Sequence, residues 1–146
     1  EYSVKLFGDE IETVYSNTKS GLTTPYTIIE PMIQKAIEVQ QKGFSIALLT
    51  NLFTEFYPTV KEELAEVKFD AWVASSEEGT RKPEAEIYER TEDLLQVEGE
   101  KILFLDDFTP NLIAAQEAGW SVIQVVDPLD AIKELENKLL LNSSLS

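Results

Sequence analysis

The sequence predicts an α/β fold: a three-layer α/β/α sandwich with helices on both faces of a parallel, Rossmann-like sheet. Three observations carry this. Short apolar runs alternate along the chain with segments of helical period, the pattern of repeated strand–helix units. The runs are continuous, as in Phe44–Leu49 (FSIALL), Ala71–Ala74 (AWVA) and Ile102–Leu105 (ILFL), which suits strands buried on both faces. Polar residues then follow successive runs: Thr50 and Asn51, Lys82, and the pair Asp106–Asp107. Right-handed crossovers bring the carboxyl ends of such strands to one edge, where ligands of open α/β sheets bind.

Taken in order, Tyr2–Phe7 alternates apolar and polar residues and reads as a short strand. The polar stretch Ser16–Pro25, with Gly21 as a turn signal, suits a hairpin or loop. Pro31 marks the first turn of a helix running to about Lys42; Met32, Ile33, Ala36 and Ile37 form its apolar face and Gly43 ends it. After the strand Phe44–Leu49, a helix is expected over about Thr54–Lys68, disturbed near its start by Pro58. Ala71–Ala74 leads into a polar loop, Ser75–Pro83, then a helix over about Glu84–Leu95 with Ile87, Tyr88, Leu94 and Leu95 available for packing. The acid pair follows Ile102–Leu105, and Thr109–Pro110 starts a helix that stops at Gly119. A strand at Ser121–Val126 and a helix at Pro128–Leu141 come last, and residues 142–146 read as a frayed, disordered tail. No repeat or linker divides the chain, so 1–146 is read as a single core domain.

Composition narrows the function. A chain of 146 residues, 43% hydrophobic and 27% charged, can bury a sizeable core as a soluble globular domain. Its formal charge of −15 argues against nucleic acid or an anionic membrane as partner, since both repel such a surface. The lack of Cys excludes disulfides and thiolate chemistry, and the lack of His excludes imidazole bases and metal sites. No apolar run reaches the length of a membrane span and no signal peptide is visible, so a cytoplasmic location is the default. The chain begins at Glu1 without an initiator Met, as a trimmed chain or fragment would. Trp72 and Trp120 read as core or rim packing, and the acidic clusters Glu62–Glu66 and Glu98–Glu100 as solvated surface.

Each polar cluster has a bland explanation by itself. Thr50 and Asn51 suit a turn, Lys82 a solvated loop, and one acid of the pair a cap for the next helix. Gathered at one sheet edge, they describe a site for an anionic, oxygen-rich group. A hydroxyl and an amide hold phosphate oxygens, a lysine neutralises charge, and paired carboxylates bind a hard cation such as Mg²⁺. Phosphoryl transfer fits that set.

The order LLTN, GTRKPEAEIY and ILFLDDFTPNLIAAQEAGW resembles the second, third and fourth motifs of the haloacid dehalogenase-like (HAD) hydrolases. Within them it is most similar to the phosphatase-type amino-terminal domain of soluble epoxide hydrolases and relatives, over about Pro31–Leu140. The resemblance implies a HAD-like core with its cap absent or reduced. It also implies Mg²⁺-dependent hydrolysis of a small phosphorylated molecule through an aspartyl-phosphate. By that resemblance Thr50 hydrogen-bonds the transferred phosphoryl group, Asn51 supports the same site, and Lys82 bridges the phosphate and the nucleophile's carboxylate. Asp107, twelve residues before Gly119, matches the Mg²⁺ ligand, with Asp106 and Asn111 orienting it.

The family's first motif, a strand ending in Asp-x-Asp, has no good match. The nearest string, Asp9–Val14 (DEIETV), supplies Asp9 as a nucleophile and Thr13 at the expected offset. Ile11 stands where the acid/base belongs and cannot carry a proton, and Glu12 replaces a small turn residue. Two readings of residues 1–30 stay open. In the preferred one the chain begins inside or just after a cap, and the nucleophile lies upstream of Glu1. In the other, Tyr2–Phe7 is a degenerate first strand and Tyr15–Tyr26 a short flap, because a sheet without its central strand exposes two unpaired edges. Either way the chain is expected to be a poor phosphatase. The rival is an inactive pseudophosphatase domain serving binding, folding or dimerisation, as a homodimer or beside a fused second domain. A response-regulator-like receiver also carries an acid pair and a Lys, but its acids follow the first strand.

Overall fold

A computed structural model of the protein describes residues 28–143 and, before them, three short strands at 3–5, 16–17 and 23–24. The strands are β1 (Ser3–Lys5), β2 (Ser16–Asn17), β3 (Thr23–Thr24), β4 (Ser45–Thr50), β5 (Ala71–Ala74), β6 (Ile102–Asp106) and β7 (Ser121–Gln124). The helices are α1 (Glu30–Gln41), α2 (Tyr57–Glu63), α3 (Ser75–Glu78), α4 (Ala85–Leu95), α5 (Thr109–Glu117) and α6 (Pro128–Ser143). Five strands pair in parallel in the order β5–β4–β1–β6–β7. Ser3 of the central strand lies opposite Ser45 on one side and Ile102 on the other. Chain direction across the sheet reverses between β1 and β6, the switch point at which doubly wound sheets hold their ligands.

Alternate residues of the two long inner strands feed different cores. Ile46 and Leu48 of β4, with Leu103 and Leu105 of β6, pack with α1, α2 and α6 through residues such as Ala36, Val60 and Leu135. Ala47 and Leu49, with Ile102 and Phe104, pack with α4 and α5 through Ile87, Tyr88, Leu112 and Ala115. Side chains of period two point to opposite faces, so a strand covered on both sides must be apolar at every position. Each such Leu or Ile contributes about 1.5–3 kcal/mol relative to exposure. Lys35, mostly buried between α1 and α6, meets Glu136 at 2.6 Å and Glu38 at 2.5 Å. Burial pulls its pKa down, but the hydrogen bonds to Glu136 and Glu38 outweigh that and leave it above the ordinary lysine value.

Several elements differ from the expected ones. The helix expected over Thr54–Lys68 is a 3₁₀ turn, Thr54–Phe56, followed by the shorter α2, which closes at Leu64. Pro58 occupies the first turn of α2, where a missing N–H leaves no bond unmade, so it starts the helix instead of disturbing it. Within the expected loop, Ser75–Glu78 forms one helical turn that Gly79 stops at φ +71°. The strand expected at Ser121–Val126 ends at Gln124. β2 and β3 pair antiparallel, Ser16 opposite Thr24, within the stretch read as a hairpin or loop. Asp127 caps α6, its Oδ1 accepting the amides of Leu129 (2.9 Å) and Asp130 (3.1 Å). That helix continues to Ser143, two residues into the expected tail. Residues 144–146, Asp9 and the rest of the Asp9–Val14 string lie outside the described residues. Among the described residues no helix is long and apolar enough to cross a membrane.

Candidate active site

The site grows from the last residue of β6. Asp106 is fully buried at the carboxyl end of the strand, and its Oδ2 accepts the Lys82 ammonium at 2.8 Å. Both side chains are without exposed surface. The other carboxylate oxygen accepts the Phe108 amide at 2.9 Å, an Asx turn that leads into α5. The bland reading, one acid of the pair as a cap for the next helix, is not what is found: α5 has no side-chain cap, and Asp106 closes the turn before it instead. Asn111 Nδ2 adds long contacts to Asp106 at 3.3 and 3.5 Å. The Lys82 ammonium stands over the Phe104 ring, 5.6 Å from its centroid.

Lys82 is fixed from its backbone as well as its tip. The Asn51 amide donates to the Lys82 carbonyl at 3.0 Å and accepts the Lys82 N–H at 2.9 Å, a reciprocal pair that ties the end of β4 to the loop before α4. On the other side, Glu84 accepts the Arg81 amide at 3.0 Å and the Thr80 hydroxyl at 2.8 Å. Those two donors, the Arg81 amide foremost, hold the Glu84 carboxyl below the ordinary carboxylate range. The loop thus delivers a long cationic side chain into a buried position without leaving its own backbone loose.

Among the residues singled out in the sequence, Asn51, Lys82, Asp106 and Asn111 are joined by direct contacts. Thr50 is the last residue of β4, opposite Ala74 and half-buried beside Asn51. Asp107 follows Asp106, half-buried, with its Oδ1 out of solvent. Asp9 lies outside the described residues. Among the described residues no three acidic side chains cluster as a metal cage. Among the described residues at this strand end, Asp106 is engaged by Lys82 and Asp107 is a second hard carboxylate beside it. That set suits Mg²⁺, which is held by one or two carboxylates with water and phosphate oxygens. Sequence reading missed Glu84 and gave Tyr88 a packing role only. The structure makes Glu84 a brace of the Lys82 loop and sends the Tyr88 hydroxyl to the Asn111 carbonyl at 2.8 Å. A tyrosine on a fully buried helix face was the available signal, because a buried phenol needs a partner.

The architecture is that of a doubly wound, Rossmann-like α/β protein with its polar residues at the switch-point edge. A family model described as haloacid dehalogenase-like hydrolase matches residues 3–119, and the chain belongs to that family. It is 33% identical over 115 residues to bifunctional epoxide hydrolase 2 of Rattus norvegicus, covering 75% of this chain and 21% of that protein. The chain thus spans about a fifth of that relative's length. A sesquiterpene phosphatase of Aspergillus oryzae is 29% identical over 133 residues, covering 90% of this chain and 66% of the relative. A HAD family enzyme of Bacteroides thetaiotaomicron, solved with magnesium and inorganic phosphate, superposes with a TM-score of 0.61 at 22% identity. That superposition covers 66% of this chain and 52% of the other.

Proposed function

We propose that this domain is a Mg²⁺-dependent phosphohydrolase for monoesters of apolar alcohols, slowed by a degenerate first motif. The observation that carries the reading is the buried Lys82–Asp106 pair, held at the carboxyl edge of the sheet by the Asn51 amide. In this reading Lys82 neutralises a phosphate at the site, Thr50 donates its hydroxyl to a phosphoryl oxygen, and Asn51 keeps Lys82 in place. Asp107 is the carboxylate that holds Mg²⁺, and the ion when bound supplies charge neutralisation to the phosphoryl oxygens. Asp106 orients the lysine. Asp9, four residues past the end of the central strand β1, is the nucleophile. The central place of β1 and a family match that starts at residue 3 support reading residues 1–30 as first strand and flap.

The substrate class rests on two side chains. Phe53 is 57% exposed and Phe108 47%, the two exposed aromatics among the described residues. Phe53 lies two residues after Asn51, and Phe108 directly follows Asp107, so both stand on loops that carry the site. An aromatic left in water beside a charged site is suited to the apolar half of an ester. The fungal relative named as a sesquiterpene phosphatase is consistent with that choice.

The test is turnover with Mg²⁺ of an aryl phosphate, a prenyl phosphate and a sugar phosphate, the wild type beside Asp9→Asn, Lys82→Ala and Asp107→Asn. Slow hydrolysis that favours the prenyl ester and is lost in all three variants is expected. Activity that survives Asp9→Asn removes Asp9 as nucleophile. A preference for the sugar ester removes the substrate class. The second reading, a pseudophosphatase domain, draws on Ile11 at the acid/base position. It takes over if the wild type is inert and Mg²⁺ with a phosphate mimic gives no thermal shift.

A further inference from the structure

If α4 only packed against the sheet, a phenylalanine at position 88 would serve. The Tyr88 ring, with no exposed surface, meets Trp120 and Phe104 edge to face at centroid distances of 5.1 and 6.1 Å. A phenylalanine would make the same contacts, whereas a buried hydroxyl is unfavourable unless it finds a partner. Its partner is the carbonyl of Asn111, 2.8 Å away in the first turn of α5. Asn111 is 1% exposed and sends its amide to Asp106, the counter-ion of Lys82. Among the described residues the Asn111 Oδ1 meets no hydrogen-bond donor, so none of them orients the side chain through its oxygen. It is oriented by where the helix turn places its backbone, and Tyr88 grips that backbone.

We propose that Tyr88 is a positioning residue. Its hydroxyl pins the first turn of α5 to α4, which keeps the Asn111 amide on Asp106 and the Asp106 carboxylate on Lys82. The inference rests on reading Lys82 and Asp106 as working parts of a phosphohydrolase site. Thr91 supplies the comparison needed to test it. It lies on the same helix, is 2% exposed, and its hydroxyl donates within that helix to the Ile87 carbonyl at 2.8 Å. Tyr88→Phe and Thr91→Val therefore remove the same kind of bond from the same helix, one reaching Asn111 and one staying within α4.

Two readouts decide the matter in the full chain. The first is the side-chain amide signal of Asn111 in a ¹⁵N–¹H NMR spectrum, identified by its loss in Asn111→Ser. The second is steady-state turnover of an aryl phosphate with Mg²⁺. In Tyr88→Phe the Asn111 signal is expected to move, and kcat to fall about five- to tenfold with KM within a factor of two. Thr91→Val is expected to lower the melting temperature by a similar amount while leaving the Asn111 signal and kcat in place. An Asn111 signal unmoved by Tyr88→Phe overturns the proposal, as does an unchanged kcat in an active enzyme or an equal fall of kcat in Thr91→Val. If the wild type turns nothing over, the phosphohydrolase reading fails, and the amide signal alone decides whether Tyr88 positions Asn111.

Discussion

Replacing Asp106 with Asn isolates the charge of the buried pair. The substitution keeps the side chain's size and an oxygen for the Phe108 amide, now 2.9 Å away, but removes the counter-charge 2.8 Å from the Lys82 ammonium. Neither partner has exposed surface, so water cannot take over solvation of the lysine without local opening. Breaking a buried pair by removing one partner costs up to about 3–5 kcal/mol, because the remaining charge loses that counter-charge in a site water does not reach. For a chain near 150 residues, about 3 °C per kcal/mol places the fall in melting temperature at up to roughly 9–15 °C. Urea unfolding followed by circular dichroism, at neutral pH, measures the loss directly. Lys133→Ala, which removes the 75% and 79% exposed contact with Asp130 at 4.0 Å, serves as the control and should change stability by less than about 1 kcal/mol. The double variant Lys82→Met/Asp106→Asn should recover a large part of the loss, since the buried ammonium is removed together with its counter-charge. A loss below about 1 kcal/mol in Asp106→Asn, the level of an exposed pair, would refute the reasoning: Lys82 would then be solvated or neutralised by another group.

Three further outcomes follow from the same geometry. A Cβ added at Gly99 would lie 2.6 Å from the Ala118 carbonyl and 2.7 Å from both Trp120 Cδ1 and Glu92 Oε1. Backbone and ring cannot both yield, so thermal denaturation of Gly99→Ala should show a loss of about 1–3 kcal/mol. Glu84 has its folded pKa held below the ordinary 4.5, so its contribution is fully present above pH 4.5 and is lost as pH falls through the depressed value. Acid titration of Lys82 amide exchange should show the loop opening in that window in the wild type, and Glu84→Gln should flatten the response. Asn51→Ala removes both bonds to the Lys82 backbone, so kcat should fall about tenfold or more while inhibition by inorganic phosphate weakens less. A phosphate-specific loss instead would make Asn51 a direct phosphate ligand.

Strands and helices were legible because both-face burial leaves a strand no polar position. Ala71–Ala74 is found with the expected bounds, and Ile102–Leu105 extends by one residue into Asp106. Pro58 was misread because its effect depends on where in a helix it falls, and the start of α2 depends on the 3₁₀ turn that precedes it. The residue types of the site were legible, but their partners were not. Asn51 bonds to a backbone 31 residues away and Tyr88 to one 23 residues away, and backbone partners leave no mark on side-chain pattern. The fate of Asp106 was hidden for a related reason. Periodicity places it at a strand end, yet whether it caps a turn, holds a metal or binds a lysine depends on which loop arrives there. The Asp9–Val14 string lies outside the described residues, so the first motif stands as the sequence left it.

The energetics of the Lys82–Asp106 pair bear on why it is there. Taking an ammonium and a carboxylate out of water costs several kcal/mol per ion, and a well-packed apolar pair of similar volume is often as stable or more so. The core around it needs no such pair, since Phe104, Leu49 and Ile87 already pack without polar help. Nor does the turn into α5 need the lysine, because the Phe108 amide is satisfied by Asp106 alone. The surrounding bonds hold the pair on every side described: Asn51 fixes the lysine's backbone, Glu84 braces its loop, and Asn111 closes on its counter-ion. On the proposed reading, an ammonium held by a buried carboxylate at the carboxyl edge of a parallel sheet is pre-organised to meet a second anion.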